Sequence, residues 1–139
     1  MLKNIPSIIS PELMMVLMEM GHGDEIVLAD GNYPVESAGA LAIRADGHGI
    51  PELLKAILKF FPLDQYVDSN VYFMDSGRDK IPQIWQYYER IFKDSQEEYK
   101  IEKIERFGFY KRAGQAYAIV ATGEKSLYAN IILKKGVIR

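Results

Sequence analysis

Short apolar runs of strand length alternate with longer stretches whose apolar residues recur at helical spacing, and this alternation restricts the chain to an α/β fold. Ser10-Pro11-Glu12 reads as a helix start: a capping hydroxyl, a proline suited to the first helical position, and an acid at the positive end of the dipole. Leu13, Val16, Leu17 and Met20 then share one face, and Gly21 is expected to end the helix as a left-handed residue. Glu25-Ile26-Val27-Leu28-Ala29 is a strand closed by the turn formers Asp30-Gly31-Asn32. Leu41-Ala42-Ile43 is a second short strand. Asp46 to Pro51 introduces a helix with the stripe Ile50, Leu53, Leu54, Ile57, Leu58 and Phe61, broken at Pro62. Val71 to Met74 is a strand, Asp75 to Asp79 a polar turn, and Ile81, Ile84, Trp85, Tyr88, Ile91 and Phe92 form the buried stripe of a third helix. After a charged connection, the last third reads as a strand at 101–104, a helix at 109–114, and strands at 116–121 and 128–133 that invite hairpin-like pairing. The expected architecture is a single three-layer α/β domain over residues 1–139, a mixed central sheet covered by helices.

Composition narrows the chemistry. At 139 residues and 48% hydrophobic, the chain removes about two thirds of its unfolded surface from water, enough for a core without disulfides or structural metal. With no cysteine, thiolate mechanisms and cysteine-ligated metal sites are excluded. A net charge of -2 gives no long-range attraction to nucleic acid or an anionic membrane. No window approaches the roughly 20 apolar residues of a spanning helix. The expectation is a cytoplasmic protein without nucleic-acid or membrane partners.

Only two histidines occur, and imidazole, with an ordinary pKa of about 6.5, is the natural proton shuttle at neutral pH. His22 lies between Gly21 and Gly23 in a tight connection from helix to strand, where a plain surface histidine is the commoner case and a catalytic base the alternative. His48, also between glycines, has less to recommend it. Asp30 follows the strand after His22, at the carboxyl end where ligands of open α/β sheets gather; a carboxylate suits a ligand rich in hydroxyls, and Asp-Gly-Asn is also common turn chemistry. The glycines match neither a dinucleotide fingerprint nor a phosphate loop, there is no nucleophile elbow, and two scattered histidines make no metal cluster. From these residues alone the chain is an α/β domain with a candidate acid-base histidine.

Longer segments carry a resemblance. Ile9 to Leu13 followed by Met20-Gly21-His22-Gly23-Asp24-Glu25-Ile26-Val27-Leu28-Ala29-Asp30 resembles the opening of the L-fucose mutarotase and D-ribose pyranase family. Ile43 to Gly47, Phe61-Pro62-Leu63-Asp64-Gln65-Tyr66-Val67, Ile104 to Phe107, Phe109-Tyr110-Lys111-Arg112-Ala113, Ala118 to Glu124 and Tyr128 to Val137 are similar to family segments in the same order, so the likeness spans essentially the whole chain. It implies an isomerase that works by acid-base chemistry with no cofactor and no metal. His22 is implied as the proton carrier and Asp30 as a sugar ligand; Asp64, Tyr110, Tyr128 and Asn130 are implied at the sugar site, with Arg106 and Met74 beside it. His22 and Tyr110 would exchange protons at the anomeric centre and ring oxygen, with Asp64 assisting. It further implies a ring-shaped homo-oligomer, a decamer, with sites completed at subunit contacts.

One departure bears on the substrate. Tyr128-Ala129-Asn130 has alanine where the fucose branch often carries glycine, and the pyranase branch also shows Tyr-Ala-Asn. Arg106 and Phe109-Tyr110-Lys111-Arg112 favour the fucose branch, since the pyranase branch tends to have a histidine near Arg106. The expected reaction is interconversion of the α and β anomers of a free monosaccharide, L-fucose first, through ring opening. The rivals are pyranose-furanose interconversion of D-ribose and noncatalytic monosaccharide binding, for which Asp30, Tyr128 and Asn130 would suffice.

Overall fold

The computed structural model describes residues 1–139. The elements in chain order are α1 (Pro11–Glu19), β1 (Glu25–Ala29), β2 (Leu41–Ala45), α2 (Ile50–Ile57), β3 (Val71–Met74), α3 (Ile84–Ser95), β4 (Ile101–Ile104), α4 (Arg106–Gly114), β5 (Ala118–Thr122) and β6 (Ile131–Lys134). The strands form one six-stranded sheet in the order β2-β5-β1-β6-β3-β4. The β1–β5, β2–β5 and β3–β4 pairs are parallel, while β6 runs antiparallel between β1 and β3. Five strands therefore share one direction. Their carboxyl ends make one edge of the sheet, their amino ends the other, and β6 crosses from the first to the second.

The pleat sorts the core. Ile26, Leu28, Val71, Phe73, Ile131 and Leu133 join the apolar faces of α1, α2 and α3 in a cluster of 27 buried residues. Val27, Ala29, Tyr72, Met74, Ile119 and Ile132 point the other way and meet Phe109 and Ala113 of α4 in a cluster of 11. The alternation is the period-2 geometry of a strand with both faces covered. Each fully buried Leu, Ile or Phe side chain contributes about 1.5–3 kcal/mol by leaving water. The expected three-layer α/β architecture is present, and similar solved structures share it.

Strong local signals in the sequence hold in the structure. Ser10 Oγ accepts the Leu13 N–H at 3.1 Å, as a cap should. Four expectations need correction. Gly21 is not left-handed; Gly23 is, with φ 89°. The end of α1 is instead capped by Lys135, whose Nζ donates to the Leu17 and Met20 carbonyls. Ile81 does not belong to the buried stripe of α3, which starts at Ile84, and it is 61% exposed. The last two strands make no hairpin, because β6 fits between β1 and β3 rather than beside β5. Finally, α4 begins at Arg106 rather than 109, since Glu105 caps it by accepting the Phe107 and Gly108 N–H groups.

An ionic cluster fixes α4 on its face of the sheet. Arg112 grips Glu25 with Nε–Oε1 2.9 Å and Nη2–Oε2 2.6 Å, Lys134 adds a contact at 3.2 Å, and the guanidinium lies 3.8 Å from the Tyr72 ring centre. Bidentate geometry makes this pair directional as well as attractive. With Arg112 pinned over the amino end of β1, the first turns of α4 reach toward the carboxyl edge, carrying Arg106 and Tyr110.

Candidate active site

The carboxyl edge collects six of the eight expected site residues. Asn130 precedes β6 opposite the end of β1, and its Oδ1 accepts the Asp30 N–H at 2.7 Å. Its amide nitrogen therefore faces Met74, 3.9 Å from the sulfur at the end of β3. A sulfur acceptor is weak, so this buried amide keeps donor capacity for a ligand. Asp30 is itself buried, and Oδ1 accepts the Asn32 N–H at 2.9 Å. Burial pushes its carboxyl above the usual range, only partly offset by hydrogen bonds from Asn32, Asn130 and Tyr33, while nearby Glu124 adds to the rise. A polar cleft of about 280 Å³ opens beside it, lined by Asp30, Tyr33, Glu36, Arg44, Asp46 and Thr122.

Tyr128 is held there by its backbone. It has φ 55°, a left-handed conformation that costs a non-glycine residue about 1–2 kcal/mol. Two α3 side chains fix the strained turn: Trp85 Nε1 donates to the Tyr128 carbonyl at 2.9 Å and Tyr88 OH to the Ala129 carbonyl at 2.7 Å. Tyr110 packs edge-on to Tyr33 with ring centres 5.2 Å apart, and Tyr110 and Tyr128 lie against the same buried cluster. Arg106 Nε donates to the Tyr110 hydroxyl oxygen at 3.2 Å, which leaves the phenolic hydrogen free to point at a ligand.

The other two residues lie at the opposite edge. His22, in the turn before β1, has Nε2 3.0 Å from Oδ1 of Asp64, in the segment before β3. Burial pushes the Asp64 carboxyl up, but the Tyr66 N–H, the hydrogen bond and charge of His22, and Lys134 outweigh it and hold it below the usual range. An ionised carboxylate can only accept, so Nε2 carries the hydrogen toward Asp64 and Nδ1 is the nitrogen left for another partner. The His22 side chain is 45% exposed against 3% for Asp64, so the dyad is anchored at one end and open at the other. An apolar groove of about 500 Å³ adjoins it, with Met14, Met18, Phe60, Val137 and Ile138 among its walls.

Within one chain the two sets are apart. The five residues of β1 separate His22 from Asp30, and at about 3.3 Å per residue that is roughly 16 Å of strand alone. His48 joins neither set as a base: it stands 3.7 Å from Glu52 at the start of α2. Sequence reasoning missed the supports of both sets. Trp85 and Tyr88 have the spacing of a core stripe and suit an interface equally, and no local pattern marks Lys135 or the fully buried Asn70. Asn70 Nδ2 donates to the Asp64 carbonyl at 3.0 Å and its Oδ1 accepts the Lys100 N–H at 2.8 Å, tying the Asp64 segment to the approach to β4. Only the rarity of a buried asparagine, visible after folding, signals that role.

The chain matches the model of the RbsD / FucU transport protein family over residues 3–138. A fucose mutarotase of Danio rerio is 52% identical over 99% of this chain and 94% of its own length. The crystal structure of the fucose mutarotase in complex with L-fucose from Streptococcus pneumoniae superposes with a TM-score of 0.94 at 57% identity, covering 99% of this chain and all of that one. The structure of Bacillus subtilis RbsD complexed with D-ribose has a TM-score of 0.80 at 24% identity and complete mutual coverage, a likeness of fold alone.

Proposed function

Because the chain belongs to the RbsD / FucU transport protein family, we propose that it is an L-fucose mutarotase, interconverting the α and β anomers of the free sugar by acid-base catalysis. The observation that carries the mechanism is the His22–Asp64 dyad, which holds a half-exposed imidazole beside an apolar groove. His22 Nδ1 takes the proton of the anomeric hydroxyl as the bond from C1 to the ring oxygen breaks. Tyr110 gives its proton to that ring oxygen. The open aldehyde turns about its C1–C2 bond and closes on the other face, and the two protons return. A positioned acid and base each contribute on the order of 10²- to 10⁴-fold.

Asp30, Tyr128 and Asn130 hold the sugar hydroxyls, with Arg106 and Met74 beside them. Since His22 and this binding set lie at opposite edges of the sheet, the working site takes His22 and Asp64 from one subunit and the binding set from another. A closed ring of copies satisfies that heterologous contact for every subunit, and a decamer is the proposed ring. No helix is long and apolar enough to cross a membrane.

Exchange NMR on L-fucose and D-ribose at neutral pH tests the proposal. Faster α-to-β exchange in fucose with catalytic amounts of protein is expected. Acceleration only between the ring sizes of ribose would make the protein a pyranase, and acceleration of neither would leave a sugar-binding protein.

A further inference from the structure

Resting on the mutarotase reading, we propose that Tyr66 is a specificity-determining residue, its ring forming the wall against which the C5 methyl group of L-fucose packs. Tyr66 is a large aromatic left 63% exposed, and it is held rather than loose. Its N–H donates at 3.0 Å to Asp64 Oδ1, the same oxygen that orients His22. Its ring centre lies 5.7 Å from that of His22, with the planes at 58°. On another side the Arg139 guanidinium sits 5.2 Å from the ring centre and donates to the hydroxyl. The hydroxyl is thus engaged, and what the ring offers beside the imidazole is apolar surface.

The chemistry of the sugar says what meets that surface. In a pyranose the ring oxygen has two carbon neighbours, C1 and C5. A base at the C1 hydroxyl, with an acid at the ring oxygen, therefore brings C5 and its substituent within a few ångströms of the imidazole. In L-fucose that substituent is a methyl group. An aromatic ring one ring-width from His22 is placed to cover it and to exclude water from it.

D-arabinopyranose has the ring configuration of L-fucose and lacks only this methyl group, so the two sugars and a Tyr66 variant make a double-mutant cycle. The ratio of kcat/KM for L-fucose to that for D-arabinose is measured by exchange NMR, with light scattering on each variant. The wild-type protein is expected to favour fucose roughly tenfold or more, the usual worth of one carbon in an apolar pocket. Tyr66→Phe keeps that ratio, and Tyr66→Ala brings it close to one, with most of the loss in KM. Tyr66→Gln, whose polar side chain suits an exposed position, replaces the alanine variant if that one does not fold. An unchanged ratio in the truncated variant overturns the proposal even if both rates fall together, because an equal loss assigns Tyr66 to subunit contact or to support of His22. A wild-type protein that treats the two sugars alike overturns it as well. A wild-type protein that accelerates neither overturns the mutarotase reading first and this one with it.

Discussion

The two edges of the sheet are built on different terms. At the carboxyl edge Asp30, Asn130 and Met74 are buried side chains at the ends of strands, and the turn before β6 is clamped by Trp85 and Tyr88. At the amino edge His22 stands half-exposed in a turn and owes its orientation to one buried carboxylate. Groups that recognise a ligand by several hydrogen bonds need the rigidity of the ladder. The proton carrier of the proposed mechanism needs one fixed partner and one free nitrogen, and an exposed turn would let it enter the shared site proposed above.

The largest effect tests whether the edges work together across subunits. His22→Gln and Asp30→Asn should each lower the rate of fucose exchange by on the order of 10²-fold or more, since one removes the proposed base and the other a proposed sugar ligand. If the site is shared, assemblies containing both variants regain activity, with about a quarter of the sites intact in a random mixture of a closed ring. Mixed assemblies measured by exchange NMR that stay as slow as either parent would place the whole site within one chain.

Next in size is the dyad itself. Asp64→Asn keeps the shape but removes the charge that fixes the imidazole tautomer, so kcat should fall on the order of 10- to 100-fold with KM little changed. A rise in KM with unchanged kcat would instead place Asp64 among the sugar ligands. The variant sharpens the contrast, because Asp30→Asn at the other edge is expected to act on KM as well.

A glycine closes each edge. A Cβ at Gly123 would collide with the Asp46 carbonyl, and one at Gly136 with the Leu63 carbonyl. Either alanine variant should cost about 1–3 kcal/mol in chemical denaturation, as overpacking does. Gly136→Ala should also slow catalysis through the neighbouring Asp64, whereas Gly123→Ala should weaken sugar binding through Gly31, whose N–H donates to the Glu124 carbonyl at 2.8 Å. Equal effects of both variants on kcat and KM would erase the distinction between the edges.

How much of this was legible follows from the range of the signals. The cap at Ser10, the strand at 25–29 and the stripe of α2 depend on residues a few positions apart, and they were read from the sequence. The place of β6 depends on pairing across 100 residues or so, as in the Asp30–Asn130 bond, and no local pattern encodes it. Ile81 looked like the first rung of α3 because its spacing was right, yet Pro82 follows it and the helix starts two residues later. The separation of His22 from Asp30 was in principle visible: a strand between two residues places them at opposite ends of it. Tyr66 carried no such sign, since an exposed tyrosine acquires meaning only from its neighbours.

The smallest effect distinguishes the edges by the sign of their pH response. Asp64 is held below the ordinary carboxylate range once burial is outweighed by the Tyr66 N–H, His22 and Lys134, so its contribution to stability is complete above the unfolded-state pKa of about 3.9. That contribution is lost as pH falls through the lower folded value. Asp30 is raised by burial, so the folded state binds the proton more tightly than the unfolded one. Its contribution is most favourable below about 3.9 and declines as pH rises through the raised folded value. Thermal denaturation between pH 3 and 7 should therefore show Asp64→Asn with a shallower loss of Tm toward acid than the wild type, and Asp30→Asn with a steeper one, each by a few degrees. Parallel curves for the two variants would mean that the carboxylates share one environment, and the two edges would lose their electrostatic difference.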